Sequence, residues 1–120
     1  MELRKFDSGA IRDQNNDKPN YAGFTSPLVL KAFGEYMLKH QILPDGSKRQ
    51  ADNWKGLFGE DHMKVCYESK CRHDLDLAMI MDGYENWSRD VLIEVLCAIK
   101  FNVDAMIYKI MKERYEGEKK

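Results

Sequence analysis

The sequence contains no long apolar run. Its longest, Leu77 to Met81, is far too short to cross a bilayer, so no membrane partner is expected. The opening residues Met1, Glu2, Leu3, Arg4 and Lys5 lack the apolar core of a signal peptide, which leaves secretion unsupported. Cysteine is scarce and odd in number. Three thiols argue for a reducing cytosol rather than a disulfide framework. Cys66 and Cys71 stand five apart with Cys97 distant, so no zinc spacing exists and each thiol reads most simply as a small core residue. No glycine-rich phosphate loop ending in lysine, no Gly-x-Ser-x-Gly turn and no dinucleotide fingerprint occurs. Charge of one sign is missing too. Nineteen Lys and Arg face twenty Asp and Glu, a balance with no bulk attraction to nucleic-acid phosphate.

What remains is one domain's length, 120 residues, with 43% hydrophobic and 32% charged side chains, a composition that folds rather than stays disordered. The charge is unevenly spread. Residues 26–59 carry five basic and three acidic side chains, whereas residues 60–86 carry three basic and seven acidic. That acidic segment is either a solvated helix face or a carboxylate cluster that awaits a cation.

The first 25 residues show no helical period and are dense in turn formers (Asp7-Ser8-Gly9, Asn15-Asn16-Asp17, Pro19-Asn20), so an irregular arm is expected. Thr25-Ser26-Pro27 then offers a cap and a proline at the first helical position, and a helix runs to about Gln41, where Pro44-Asp45-Gly46 stops the chain. A long polar loop, Ser47 to Gly59, has Trp54 and Phe58 as its only large apolar anchors. A second helix is expected from Glu60-Asp61 to Asp82 before Gly83, and a third from Arg89, capped by Ser88, to about Tyr115. On the third helix Leu92, Val95, Leu96, Ile99, Val103, Met106 and Ile110 fall on one broad stripe, the expected core face. A basic tail, 112–120, is expected to fray. The fold class is therefore all-α: one domain of about three main helices, small enough that copies of the chain are expected to associate and complete its core.

Few residues carry chemistry. His73 and Asp76 share a face of the second helix, and antiparallel packing would bring Glu94 of the third helix within their reach. Two carboxylates and substrate phosphates suffice to hold Mg²⁺, a hard cation that keeps several waters, although a His and an Asp three apart also arise by chance. Asn102 lies on the far edge of the apolar stripe. Arg12, Lys18, Lys48, Arg49 and Lys55 occupy non-helical segments where they either meet phosphates or are simply solvated. Trp54 could stack on a base or anchor its loop on the core. His40 and His62, beside helix ends, read as surface residues.

Several stretches occur in a telling order: Phe6-Asp7-Ser8-Gly9-Ala10-Ile11-Arg12-Asp13, Asp17-Lys18-Pro19, Ser26-Pro27-Leu28 and Asn53-Trp54-Lys55-Gly56. Arg72-His73 with Asp76, Gly83-Tyr84-Glu85 and Glu94-Val95-Leu96-Cys97-Ala98-Ile99-Lys100-Phe101-Asn102 follow. Over residues 4 to 110 this succession resembles a family of small phage and prophage proteins, the dATP/dGTP diphosphohydrolase N-terminal domains. The resemblance implies cleavage of a purine deoxynucleoside triphosphate to monophosphate and pyrophosphate, the reaction of the MazG-like all-α pyrophosphatases. Those are helical oligomers that hold Mg²⁺ (or Mn²⁺) on Glu-x-x-Glu and Glu-x-x-Asp pairs. Here the pairs read His73-x-x-Asp76 and Glu94-x-x-Cys97, so Asp76 and Glu94 match as metal ligands and His73 as a further ligand or water orienter. With the resemblance Asn102 is a candidate hydrogen-bond partner for the nucleotide, and the loop cations Arg12, Lys18 and Lys55 and the Trp54 ring are further candidates for it, in a host cytoplasm. The other reading is a nucleotide-binding protein that has lost the acid quartet and sequesters a nucleotide signal or binds a host factor.

Overall fold

The computed structural model describes residues 3–5, 7–9, 11–13 and 17–118. It is mostly helical, and no helix among the described residues is long and apolar enough to cross a membrane. The chain divides into two units, residues 1–30 and 31–120.

In the first unit the arm is not wholly irregular. Strands β1 (Leu3–Lys5) and β2 (Ile11–Asp13) pair antiparallel, with Arg4 opposite Arg12, around a turn in which Gly9 takes φ 88°. Three-residue strands are too short to show an alternating pattern, which is why only the turn formers were visible in the sequence. Asn15 and Asn16 lie outside the described residues. A single turn, α1 (Tyr21–Phe24), is capped by the Asn20 side chain, which accepts the Gly23 N–H at 2.9 Å.

Helix α2 (Pro27–Gln41) starts as its sequence dictates. The Ser26 hydroxyl accepts the Leu28 N–H at 3.2 Å, and Pro27 occupies the first helical position, where an N–H has no partner to lose. The following loop is tied down rather than loose. Gly46 turns at φ 86°, Leu43 N–H donates to the Ser47 carbonyl, and Ile42 pairs with Lys48 as an isolated antiparallel bridge. Arg49 N–H donates back to the Gln41 carbonyl, while the Gln41 side-chain amide donates to the Arg49 carbonyl at 2.6 Å. A 3₁₀ turn over Asn53–Gly56 then seats Trp54.

Helices α3 (His62–Met81) and α4 (Arg89–Glu118) form an antiparallel hairpin. Helix α3 ends where Gly83 reaches φ 83°: Gly83 N–H donates to the Ile80 carbonyl and Tyr84 N–H to that of Met79, which satisfies two end carbonyls. Ser88 caps α4 by accepting the Val91 N–H. The tail expected to fray is helical as far as Glu118, supported by Lys109–Glu113 and Lys112–Glu116 pairs at i,i+4. Lys119 and Lys120 lie outside the described residues.

The core differs from the expected one. Buried are Cys66 and Ile80 of α3, Cys97, Ala98 and Ala105 of α4, and the polar His62 and Asn102. Small side chains let the two helices approach closely enough for hydrogen bonds to cross between them. None of the seven stripe residues read as the core face of α4 is buried; Leu96 is 46% and Ile110 54% exposed. His62, read as a surface residue, is fully enclosed.

Candidate functional site

A concavity lies within the second unit, between the C-terminal half of α2, the tied loop and α4. Its volume is about 510 Å³, inside the range of about 300–1,000 Å³ common for small-molecule sites. Trp54, Phe58 and Phe101 form its aromatic side; Tyr36, His40, Gln41, Arg49 and Gln50 supply polar groups.

Each wall has a local cause. Trp54 is held edge-on against Phe101 (6.0 Å between ring centroids) and Tyr108 (5.1 Å), so it is both a core anchor and a lining group. Phe58 is fixed by His62. Its N–H donates to His62 Nδ1 at 3.0 Å, the rings stack at 5.3 Å, and His62 Nε2 donates to the Ala105 carbonyl at 2.9 Å. Acceptance at Nδ1 assigns the ring proton to Nε2. Between Trp54 and Phe58, Leu57 sits at φ 67°, a conformation that costs a non-glycine residue of order 1–3 kcal/mol. Arg49 owes its place to the Gln41 clamp, and its exposed guanidinium has no carboxylate partner among the described residues.

The polar rim continues along α2. The Tyr36 ring packs on His40 at 4.3 Å, and its hydroxyl pKa is raised by burial first, then by the charges of Glu94 and Cys97. Glu94 belongs to this rim. Its carboxylate takes Lys39 Nζ at 3.1 and 3.2 Å and lies 3.7 Å from His40 Nε2.

The residues singled out from the sequence are therefore separated. His73 and Asp76 do meet, at 3.6 Å across one turn of α3. The antiparallel hairpin forms as expected, yet Glu94 turns to α2 and its cations instead of to that pair. Elsewhere in the acidic segment Glu68 pairs with Lys64 and Asp74 with Lys70, the arrangement of a solvated face. Among the described residues no three His, Cys, Asp or Glu side chains converge as metal ligands.

Of the nucleotide candidates, Trp54 alone lines the pocket. Lys55 is exposed, with Nζ 5.9 Å from the Trp54 ring centroid. Asn102 is enclosed between α3 and α4, where its amide donates to Ser69 Oγ and the Ala98 carbonyl. Lys18 is exposed in the first unit, and the Arg12 side chain lies outside the described residues. The sequence marks Arg49 only as one loop cation among several and His40 as a surface residue, and it does not single out Tyr36, Gln41 or Gln50. The available signal was Pro44-Asp45-Gly46, a turn tight enough to return Arg49 to Gln41. Comparison with protein-family models, curated proteins and solved structures finds no match to this chain.

Proposed function

We propose that the protein is a phage nucleotide pyrophosphohydrolase-like protein that takes a (deoxy)purine nucleotide in the α2–loop–α4 pocket. One observation carries this reading: an aromatic wall able to receive a planar base faces the same cavity as Arg49, a cation without a carboxylate partner among the described residues. Base and phosphate need those two chemistries together, and Gln41 and Gln50 add amides at the rim. The reaction, cleavage of a triphosphate to monophosphate and pyrophosphate in an assembly of copies in the host cytoplasm, comes from the family resemblance. Among the described residues Asp76 and Glu94, the carboxylates that the resemblance assigns to Mg²⁺ or Mn²⁺, take separate partners, His73 and Lys39.

That dispersal favours a second reading, a non-catalytic nucleotide-binding protein that sequesters a nucleotide or binds a host factor. Glu94, held by Lys39 and His40, is the observation behind it. One experiment separates the two. Purified protein is incubated with a panel of NTPs and dNTPs and Mg²⁺ or Mn²⁺, with thermal stability and pyrophosphate read together. A ligand at a hundred times its Kd should stabilise the fold by about 2.7 kcal/mol. Arg49→Ala should weaken binding about 10- to 100-fold, the size of a lost charge-assisted hydrogen bond. Stabilisation by no nucleotide overturns both readings; stabilisation without pyrophosphate leaves the second. If turnover occurs and survives both Asp76→Asn and Glu94→Gln, the ligand assignment is wrong.

A further inference from the structure

We propose that Phe58 is a hinged panel of the pocket wall, exchanging between its latched position and a released one in which Leu57 relaxes to negative φ and Phe58 swings off His62. The inference concerns the wall alone and is independent of what the pocket binds. Leu57 takes φ 67° with ψ 165°, a region that L-residues all but avoid and only glycine enters freely. Two positions on, Gly59 takes φ 81°. Phe58 thus stands between two residues at positive φ, one strained and one free to adopt either sign. A backbone so arranged can turn Phe58 over without disturbing its flanks. Trp54 keeps its contacts with Phe101 and Tyr108, and α3 begins only at His62.

Few contacts hold the strained form. Phe58 N–H donates to His62 Nδ1 at 3.0 Å, the two rings stack at 5.3 Å, and the Phe101 ring stands edge-on at 6.3 Å. Solvent already reaches Phe58, which is 41% exposed, and this limits the apolar surface that release takes into water. One hydrogen bond and two ring contacts are of the same order as the strain that release discharges. Water entering the opened site replaces Phe58 as the donor to Nδ1. The two positions are therefore close in free energy. Parting α3 from α4 would instead break the bonds of His62 to Ala105 and of Asn102 to Ser69 and expose a buried contact. An opening confined to Phe58 is the cheaper one. Its consequence is functional, since the aromatic side of the cavity is complete only while the latch is closed.

Backbone hydrogen exchange in the full chain, followed by NMR across low urea concentrations and corrected for intrinsic rates, is the test. The Phe58 amide, although hydrogen-bonded, should exchange at least about tenfold faster than the Asn102 amide inside α4, through an opening that is insensitive to urea. Leu57→Gly removes the strain and should slow Phe58 exchange relative to Asn102 by about 5- to 100-fold. Leu57→Ala deletes the same side chain but keeps a Cβ, so the strain remains and no such slowing should occur. Phe58 and Asn102 amides that respond to urea alike in the wild type overturn the proposal, because exchange would then need the helices to part. It is also overturned if Leu57→Ala slows Phe58 as much as Leu57→Gly does, or if Leu57→Gly leaves the ratio of the two amides unchanged. Should Leu57→Gly not fold, the urea dependence of the wild-type Phe58 amide decides alone. Nucleotide binding can fail without moving any of these rates.

Discussion

Replacing His62 by alanine tests how the pocket is built. The ring is fully buried, accepts the Phe58 N–H at 3.0 Å, donates to the Ala105 carbonyl at 2.9 Å and stacks on Phe58. Deletion removes two hydrogen bonds, each worth about 0.5–1.5 kcal/mol net. It also leaves a cavity between α3 and α4; large-to-alanine truncations in cores cost about 2–5 kcal/mol. The imidazole is smaller than a phenyl ring and is polar, so its cavity belongs at the low end of that range. The expected loss is then about 3–4 kcal/mol, read as a lower urea midpoint at unchanged slope and fixed protomer concentration. Phe58 lines the pocket, so any ligand found by the nucleotide panel should bind more weakly to His62→Ala while the variant is still folded. A loss under about 1 kcal/mol would refute the reasoning, because neither the hydrogen bonds nor the cavity could then hold as described.

Native protein should show one fast thiol with a colorimetric disulfide reagent and three after denaturation: Cys71 is exposed, whereas Cys66 and Cys97 are buried and burial raises their pKa. Stability should fall as pH rises above about 8.5, the ordinary thiol range. Cys66, Cys97 and Tyr36 all have raised folded-state values, so the unfolded chain loses its protons first and gains; a flat alkaline limb in denaturant titrations contradicts this. Gly83→Ala should cost about 1 kcal/mol through backbone strain alone, since φ is 83° and no atom would meet the added Cβ, and urea denaturation reads it. Glu94→Gln should change stability by less than about 1 kcal/mol, because its pairs with Lys39 and His40 are half-exposed, and thermal melts at low and high salt check it.

Helix ends were the most legible part of the sequence. Ser26-Pro27, Ser88 and Asp82-Gly83 act through local geometry, and each appears in the fold at its expected place. Which face of a helix is buried was not legible, because periodicity reports apolar residues and not their partner. The large aliphatics of α4 form the clearest stripe, yet the hairpin buries Ala98 and Ala105, whose small size permits the close approach. Nor could spacing foresee the fate of the acids. Helical geometry brought His73 to Asp76, but the rotation of α4 that seats Phe101 behind Trp54 also turns Glu94 toward Lys39. The pocket itself depended on a hydrogen-bonded return of the loop, and only its turn residues left a trace.

Helix α4 joins these features. One side, with Phe101 and Tyr108, backs the aromatic wall, and an adjacent side carries Asn102 and Ala105 into α3. Because α3 takes small residues at its contact, Leu96 and Ile110 stay exposed, and those side chains cost free energy wherever water meets them. The same rotation fixes both consequences. A turn of α4 that buried the large stripe against α3 would withdraw Phe101 from Trp54 and break the Asn102–Ser69 and His62–Ala105 bonds. Pocket formation and the exposure of Leu96 and Ile110 are therefore one structural choice.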